Sequence, residues 1–262
     1  MKRVRIDSLL SERGLFPSRA QAAASVLAGD VLVLPERRPA RKPGELVADD
    51  VEFEVARAPE FVSRGGVKLA NAIDALGLQV AGAHALDIGA STGGFTDCLL
   101  QRGAAHVIAV DVAYGALDWR LRSDARVTLL ERRNARDLGR GELPYAPNLI
   151  VIDVSFISLS KVLPAALRCA DPVFDCLALI KPQFEVGRER VGKGGVVRDA
   201  AARRSALVEV GRVAQQLGVA VLGYAPSGLP GPKGNLETFI WLAERDRGGL
   251  DDVRAAAAEV EP

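Results

Sequence analysis

The chain has 262 residues, of which 48% are hydrophobic and 26% are charged, and its formal net charge is +1. This length allows one large domain or two unequal domains, and the hydrophobic fraction excludes a disordered chain. A net charge so close to zero excludes nucleic-acid binding through bulk charge, so such binding would need local basic patches.

The amino-terminal segment, 1–57, predicts a small helix–helix–strand module. The stretches "RIDSLLSERGL" and "SRAQAAASVLAG" have helical patterns, and Ser18 and Gly29 are suitable residues for the start and the end of the second helix. Two short strands, "DVLVL" and "DDVEFEV", follow around a loop rich in proline and arginine. We expect an interdomain linker at 58–62 and a second domain over 63–262.

The amino-terminal module is locally basic. The segment 1–42 contains nine lysines and arginines against four acidic residues. Arg3, Arg5 and Arg19 lie near predicted helix starts, where the helix dipole favours acidic side chains. This placement favours contact with phosphate, although a solvated surface remains the alternative.

The remainder of the chain predicts an α/β fold. Continuous apolar strands alternate with helical segments, which is typical of a buried, mostly parallel sheet. The strands are "HALDIGA", "HVIAVDV", "RVTLLE", "NLIVIDV", "DCLALIK", "VAVLGYA" and "LETFIWLA". Only "PSGLPGPKGN" separates the last two, which leaves no room for a helix, so the last strand is predicted to be antiparallel.

The apolar runs, the cysteines and the histidines of the sequence do not have the patterns of a membrane, secreted or metal-binding protein. No apolar run approaches the roughly 20 residues that span a bilayer, and no signal peptide is visible, so we expect a cytoplasmic protein. Cys98, Cys169 and Cys176 lack a CxxC spacing and are expected to be reduced core thiols. His84 and His106 each precede an apolar strand, so we expect them to begin strands rather than to bind a metal.

A glycine-rich turn, "LDIGASTGGFTD", follows the first strand of the sheet. Gly89 permits a tight turn, and Gly93 and Gly94 allow close approach of a ligand to the backbone. Asp111 ends the next strand and could accept hydrogen bonds from both ribose hydroxyls of an adenosine, and Asn134 could contact an adenine edge. The pattern favours S-adenosylmethionine over NAD, and a turn required only by the fold remains possible.

Four charged residues occupy unusual positions in the predicted sheet. Asp153 and Lys181 end core strands, Glu237 opens the last strand, and Lys68 lies near a helix start. Carboxyl ends of parallel strands meet at one crevice, and an antiparallel last strand would begin there. We expect these side chains to converge, although a cap for Asp153 and surface positions for Lys68 and Glu237 are alternatives.

Lys181 is the most informative of the four. Burying an ammonium group at the end of a core strand is costly, and Pro182 keeps the backbone at Lys181 extended. A crowded lysine can act as a general base, and a ribose hydroxyl is a poor nucleophile that needs such help. Transfer of a methyl group from a sulfonium requires mainly in-line positioning. We predict that Lys181 accepts the proton.

These residues occur within motifs that resemble the TlyA family of ribosomal RNA methyltransferases, also called hemolysin A. The resemblance covers essentially the whole chain and rests on "SRGGVKL", "LDIGASTGGFTD", "DVSFISL", "LIKPQFEVG", "GGVVRD" and "LPGPKGNLE" in this order. It implies an S4-type α+β RNA-binding domain at 1–57, joined to an FtsJ-like, Rossmann-like S-adenosylmethionine-dependent methyltransferase domain at 63–262.

The resemblance also implies an activity and a set of functional residues. The activity is 2′-O-methylation of cytidine in large-subunit ribosomal RNA, and in some members of small-subunit RNA. The implied catalytic residues are Lys68, Asp153, Lys181 and Glu237. The implied cofactor-binding residues are Gly89, Ala90, Ser91, Thr92, Gly93, Gly94, Phe95, Asp111, Asn134, Ala135 and Phe156. The implied RNA-binding residues are Arg3, Arg5, Arg19, Lys42, Arg64, Arg132 and Arg136.

This sequence departs from the family pattern at the linker between the two domains. Relatives carry Arg-x-Trp-Val between the domains, whereas this chain has "RAPEFV", with Phe61 in place of the tryptophan. We expect a monomer that binds ribosomal RNA within ribosomal subunits and needs neither a membrane nor a metal. The alternatives are a non-catalytic ribosome assembly factor, a methyltransferase for DNA, protein or a metabolite, and a membrane-active toxin.

Overall fold

The computed structural model describes residues 3–16, 18–55, 60–231 and 233–261. The chain forms two compact units, Met1–Glu60 and Phe61–Pro262. Residues 58 and 59 of the predicted linker lie outside the described residues, whereas Phe61 is buried in the core of the second unit.

The described residues of the first unit form two helices and five short strands. In chain order these are β1 (Arg3–Arg5), α1 (Ile6–Glu12), α2 (Arg19–Ala28), β2 (Val31–Val33), β3 (Arg38–Pro39), β4 (Leu46–Ala48) and β5 (Phe53–Val55). β1 pairs with β4, and β2 lies between β3 and β5, with every pairing antiparallel. Apolar side chains of the helices and strands, including Ile6, Leu10, Val26 and Val31, form one small core.

The sequence predicted only two of these five strands. β1, β3 and β4 were missed because two or three residues are too few to display an alternating pattern. Arg5, the last residue of β1, is also the N-cap of α1, and Arg19 is the first residue of α2, so both lie at helix starts as predicted. Arg3 lies at the other end of β1, so for this residue the prediction is wrong. Ser18 caps α2 as predicted, accepting a hydrogen bond from the Gln21 backbone at 3.3 Å.

Asp7 explains why two of these arginines lie where they do. Its side chain is almost fully buried, and it accepts hydrogen bonds from Arg5 at 2.8 and 3.0 Å and from Arg19 at 3.1 Å. The Arg5 guanidinium, assisted by Arg19, lowers the pKa of Asp7 to about 2. Arg5 and Arg19 therefore have a structural role in the first unit in addition to any contact with a ligand.

We expect Asp7→Asn to destabilise the first unit by at most about 2 kcal/mol at neutral pH, because solvent screens the two half-exposed arginines. The pKa of Asp7 is lower in the folded than in the unfolded chain, so its contribution is complete above the unfolded pKa. That contribution disappears as the pH falls from about 4 to about 2. Amide hydrogen exchange of α1, followed against pH, measures the difference from wild type.

Asp50→Asn is the matched control, because Asp50 is an exposed aspartate of the same unit. It should leave exchange in α1 unchanged at every pH. If the difference in α1 amide exchange between Asp7→Asn and wild type does not depend on pH, the ion pairs of Asp7 make no measurable contribution to the stability of the first unit.

The described residues of the second unit form a seven-stranded sheet. Its strands are β6 (His84–Ile88), β7 (His106–Asp111), β8 (Val127–Glu131), β9 (Leu149–Ile152), β10 (Asp175–Ile180), β11 (Val219–Pro226) and β12 (Thr238–Glu244). Their spatial order is β11-β12-β10-β9-β6-β7-β8. The ladders from β8 to β10 are parallel, and β12 is antiparallel to both of its neighbours. The prediction of a mostly parallel sheet with an antiparallel last strand is confirmed.

Helices cover both faces of this sheet. They are α3 (Arg64–Leu76), α4 (Gly94–Gln101), α5 (Trp119–Arg122), α6 (Leu163–Cys169), α7 (Pro182–Glu185), α8 (Ala200–Gln216) and α9 (Val253–Val260). Apolar residues of α3 and α4 pack on one face, and those of α6, α8 and α9 pack on the other. The three cysteines are buried and unbridged, as predicted. Among the described residues, no helix has both the length and the apolar composition needed to cross a bilayer.

Phe61 is accommodated by a glycine in the first turn of α3. A Cβ atom on Gly66 would lie 2.3 Å from Cγ of Phe61, so no larger residue fits without movement of the ring. The aromatic residue at the linker position therefore packs against the helix that carries Lys68.

Candidate active site

Lys68 and Glu237 form a buried ion pair. Lys68 lies in the second turn of α3 with 7% of its surface exposed, and Glu237 immediately precedes β12 with 3% exposed. The Lys68 ammonium donates a hydrogen bond to the Glu237 carboxylate. Because each charge neutralises the other, both can be buried at the crevice. The prediction that an antiparallel last strand would begin at this edge is confirmed.

Lys181 and Asp153 form a second pair at the ends of neighbouring parallel strands. Asp153 follows β9, and Lys181 follows β10 with an extended backbone, as expected of a residue before proline. The Lys181 ammonium pairs with the Asp153 carboxylate and donates a hydrogen bond to the Ser155 hydroxyl at 3.0 Å. Two fixed partners orient the Lys181 nitrogen. This pair is less buried than Lys68–Glu237.

All four charged residues line one cavity of about 720 Å³. The glycine turn lines the same cavity, through Gly89, Ala90, Ser91, Thr92, Gly94 and Phe95. The cavity therefore places two lysine–carboxylate pairs beside a glycine-rich turn, in the crevice at the carboxyl ends of the parallel strands.

The glycine turn is shaped by close contacts with the rest of the site. Gly89 has φ +86°, and a Cβ atom there would lie 2.3 Å from the carbonyl oxygen of Asp153. A Cβ atom on Gly94 would lie 2.2 Å from Oγ of Ser63. Gly93 lines neither this cavity nor the one beside it, since its Cα faces Leu117 and Leu121. Gly93 therefore packs against these leucines, and its predicted contact with the cofactor stays a prediction.

A second, smaller cavity of about 310 Å³ adjoins the glycine turn. It is lined by the remaining predicted cofactor residues, Asp111, Asn134, Ala135 and Phe156, together with Gly89, Ser91 and Asp153. The Asp111 carboxylate accepts hydrogen bonds from the backbone N–H groups of Ser91 and Ala113, both at 2.7 Å. A carboxylate has further lone pairs, so Asp111 retains capacity to bind hydroxyl groups.

Phe156 connects the two cavities. It lines both of them, has a positive φ of 64°, and is 91% exposed. Its ring lies 5.2 Å from that of Phe184, in a tilted arrangement. A strained backbone holding a large apolar ring in solvent is unusual and is typical of a ligand-binding position.

Asp87 is a buried acid beneath the glycine turn that the sequence analysis missed. It lies within β6, is fully buried, and accepts a hydrogen bond from the Thr96 hydroxyl at 2.6 Å. Burial, with the negative charges of Asp153 and Asp111, raises the pKa of Asp87 to about 7. Its second oxygen, Oδ1, has no hydrogen-bond partner among the described residues. An acid inside an apolar strand was the signal that could have found it.

The predicted RNA-binding residues are distributed over both units. In the first unit Arg3, Arg5, Arg19 and Lys42 are exposed. In the second unit Arg64 is exposed at the larger cavity and donates a hydrogen bond to the Pro230 carbonyl at 2.7 Å. Arg132 lies 4.5 Å from the centre of the Tyr114 ring, and Arg136 donates to the Asn134 side chain at 3.3 Å.

Comparison with known proteins identifies the family. The FtsJ-like methyltransferase model matches residues 61–244. A protein of Mycobacterium tuberculosis, the 16S/23S rRNA (cytidine-2′-O)-methyltransferase TlyA, is 48% identical over 258 residues, which cover 96% of each chain. The chain belongs to the TlyA family.

Two further relatives of this TlyA-family chain carry a different name. Hemolysin A of Brachyspira hyodysenteriae is 37% identical, over 89% of this chain and 97% of that protein. A solved structure from Streptococcus thermophilus, also named as a hemolysin, has a TM-score of 0.76 and 38% identity, over 99% of this chain and 96% of that one. The family resemblance found in the sequence is therefore confirmed over nearly the whole chain.

Glu185 is a second residue of this TlyA-family site that the sequence analysis missed. It lies at the end of α7, four residues after Lys181, and accepts hydrogen bonds from the Ser158 hydroxyl at 2.6 Å and the Leu159 backbone at 2.8 Å. It thereby joins the loop after β9, which carries Asp153, to the segment after β10. Burial raises the pKa of Glu185 above its usual range.

The two histidines line neither of the two cavities. His84 and His106 are the first residues of β6 and β7, as predicted. Within the described ranges, no group of three or more histidine, cysteine, aspartate or glutamate residues could hold a metal ion.

Proposed function

We propose that this chain is an S-adenosylmethionine-dependent methyltransferase that modifies the ribose 2′-hydroxyl of cytidine in ribosomal RNA. The observation that carries the proposal is the convergence of Lys68–Glu237 and Asp153–Lys181 on the cavity lined by the glycine turn. The Mycobacterium tuberculosis relative is named as a 16S/23S rRNA (cytidine-2′-O)-methyltransferase, which supports this substrate. We infer that the target lies in the large subunit, with small-subunit RNA as a possible second target.

The two cavities fit the proposed cofactor. The close backbone at Gly89 and the carboxylates of Asp111 and Asp153, all of which line the smaller cavity, offer groups suited to a ligand that carries positive charge and hydroxyls. Asp111, Asn134 and Phe156 would hold the adenosine part, and the turn from Gly89 to Phe95 would hold the remainder. S-adenosylmethionine supplies an electrophilic methyl group that needs no activation.

The chain's own residues then act on the ribose. Lys181, oriented by Asp153 and Ser155, accepts the proton of the 2′-hydroxyl as that oxygen gains the methyl group. Lys68, fixed by Glu237, places a positive charge at the same cavity and helps to hold the ribose oxygens. These roles make Lys68, Asp153, Lys181 and Glu237 a catalytic tetrad.

We further infer the role of the first unit and the setting of the reaction. The exposed basic residues Arg3, Arg5, Arg19 and Lys42 support an S4-type RNA-binding unit that docks on ribosomal subunits. Residues 1–57 would form this domain and 63–262 the methyltransferase. We propose a monomeric cytoplasmic enzyme, since ribosomal subunits occur in that compartment.

The test is to map 2′-O-methylcytidine in ribosomal RNA from cells with the wild-type chain, without it, and with Lys181→Ala. Methylation that requires the wild-type chain supports the proposal, whereas equal maps in all three contradict it. Calorimetry on the full chain should detect S-adenosylmethionine and not NAD. A chain that binds ribosomal subunits but leaves no methyl mark would instead be an assembly factor.

A further inference from the structure

A group of basic side chains lies on two segments that contribute residues to the lining of the larger cavity, and it has no part in the tetrad or in the predicted RNA contacts. We call it the basic rim, and it consists of Arg188, Arg190, Lys193, Arg198 and Lys233. All five side chains are exposed. Lys233 lines the cavity itself, as do Val191 and Gly195 from the segment that carries the other four. The basic rim therefore lies on segments that adjoin the candidate active site.

A tight turn presents part of the basic rim. The Gly192 backbone N–H donates to the Val196 carbonyl at 3.0 Å, and the Gly195 N–H donates to the Gly192 carbonyl at 3.0 Å. Gly194 and Gly195 have positive φ angles of 85° and 81°, which glycine adopts without strain. Lys193 is held at the tip of this turn, where its side chain is exposed to solvent.

A buried asparagine attaches this turn to the segment before β12. Asn235 is 2% exposed, and its side chain accepts from the Val197 N–H at 2.9 Å and donates to the Gly195 carbonyl at 2.8 Å. The Lys233 ammonium lies beside the turn, 3.6 Å from the position that a Cβ on Gly195 would take. Since Asn235 precedes Glu237 by two residues, the basic rim is fixed relative to the catalytic pair.

The five cations of the basic rim have no ion-pair partner among the described residues, and the segment 187–199 contains only two acids, Glu189 and Asp199. Over the described residues, no carboxylate forms an ion pair with any of its five members, although Arg120, Arg122 and Arg126 at the other edge of the sheet each bind an acid. A cluster of unpaired cations repels itself and raises the local potential, which attracts a polyanion. None of the large exposed apolar side chains lies in 187–199, as insertion into a lipid surface would require.

We propose that the basic rim binds backbone phosphates of RNA flanking the nucleotide that enters the cavity. This inference rests on the proposed function and adds a set of phosphate contacts on the methyltransferase unit itself. Each contact would release a counterion, so the contribution of the basic rim should weaken as salt rises. It would orient the target strand and leave cofactor binding unaffected.

The test is the triple variant Arg188→Gln, Arg190→Gln, Lys193→Gln in the full chain. The matched control is Arg168→Gln, Arg212→Gln, Arg254→Gln, which removes the same charge from exposed positions on α6, α8 and α9, outside the segment 187–199 that adjoins the cavity. Affinity for purified large ribosomal subunits is measured between about 50 and 200 mM salt. The slope of log affinity against log salt is negative, and we expect it to become shallower by about 2 to 3 in the rim variant and by much less in the control.

Two further measurements separate the possible outcomes. S-adenosylmethionine affinity should be equal in wild type and both variants, which also shows that the variants fold. If the rim variant and the control variant have equal slopes of log affinity against log salt, and the wild-type chain methylates subunits, only the proposed phosphate contacts of the basic rim are wrong. A wild-type chain that neither binds nor methylates would overturn the proposed function as well. Rim-dependent binding to phosphatidylserine vesicles without a rim effect on subunits would identify a lipid contact and refute the inference.

Discussion

Replacing Lys181 with alanine should lower the single-turnover rate of methyl transfer by about 10²- to 10⁴-fold, the usual contribution of a general base. Affinity for S-adenosylmethionine should change little, because the Lys181 nitrogen is oriented by Asp153 and Ser155 within the larger cavity and does not line the smaller one.

Lys181→Arg separates a base from a fixed charge. A guanidinium stays protonated at any working pH, so this variant should be as inactive as Lys181→Ala. Lys161→Ala is the control, because Lys161 is an exposed lysine in the turn that follows the Asp153 loop. An active Lys181→Arg enzyme would show that Lys181 supplies only positive charge.

Removing one partner of the Lys68–Glu237 pair should destabilise the second unit by about 3–5 kcal/mol, because an uncompensated charge would remain buried. Lys68→Met leaves the Glu237 carboxylate in this state, and Glu237→Gln leaves the Lys68 ammonium. The double variant Lys68→Met, Glu237→Gln should recover most of the loss, since it buries no charge. Chemical denaturation of the four chains measures the coupling.

The double variant also distinguishes stability from catalysis. It should fold almost as well as wild type and still lack methyltransferase activity, because neither charged group remains at the cavity. If the single variants are as stable as the double variant, an unpaired charge at this position does not lower stability, which would mean that water reaches the Lys68–Glu237 pair. If the double variant is active, Lys68 and Glu237 lie outside the catalytic machinery.

The sequence predicted the convergence of the four charged residues because each was out of place in its element. An ammonium ending a core strand has few structural explanations, which made Lys181 the clearest signal. The pairing could not be predicted: strand order places Asp153 beside Lys181, and only the antiparallel course of β12 brings Glu237 to Lys68. Which lysine pairs with which carboxylate is determined by the tertiary packing of the strands and not by the local sequence pattern.

Other features of the site and the fold left weaker signals. Glu185 and Ser155 are ordinary polar residues in or beside loops, and their importance comes from partners that are distant in the sequence. The basic character of Arg5 and Arg19 was visible, but their shared partner Asp7 depends on how β1 and α2 pack in the first unit. Short strands such as β3 form through pairing with neighbours and not through their own propensity.

The separation of Lys68 and Glu237 along the chain has a consequence for how activity is acquired. These partners are 169 residues apart, so their contact closes nearly the whole second unit. Bringing together two residues that are so far apart in the chain has an entropic cost, which is smaller once other contacts have shortened the loop between them. Non-local contacts of this kind therefore form late in folding. A chain still being synthesised lacks Glu237 until nearly all of this unit has been made, and it lacks β12, which holds Glu237 at the crevice, for a little longer. Methyl transfer should consequently begin only after synthesis of this unit is complete.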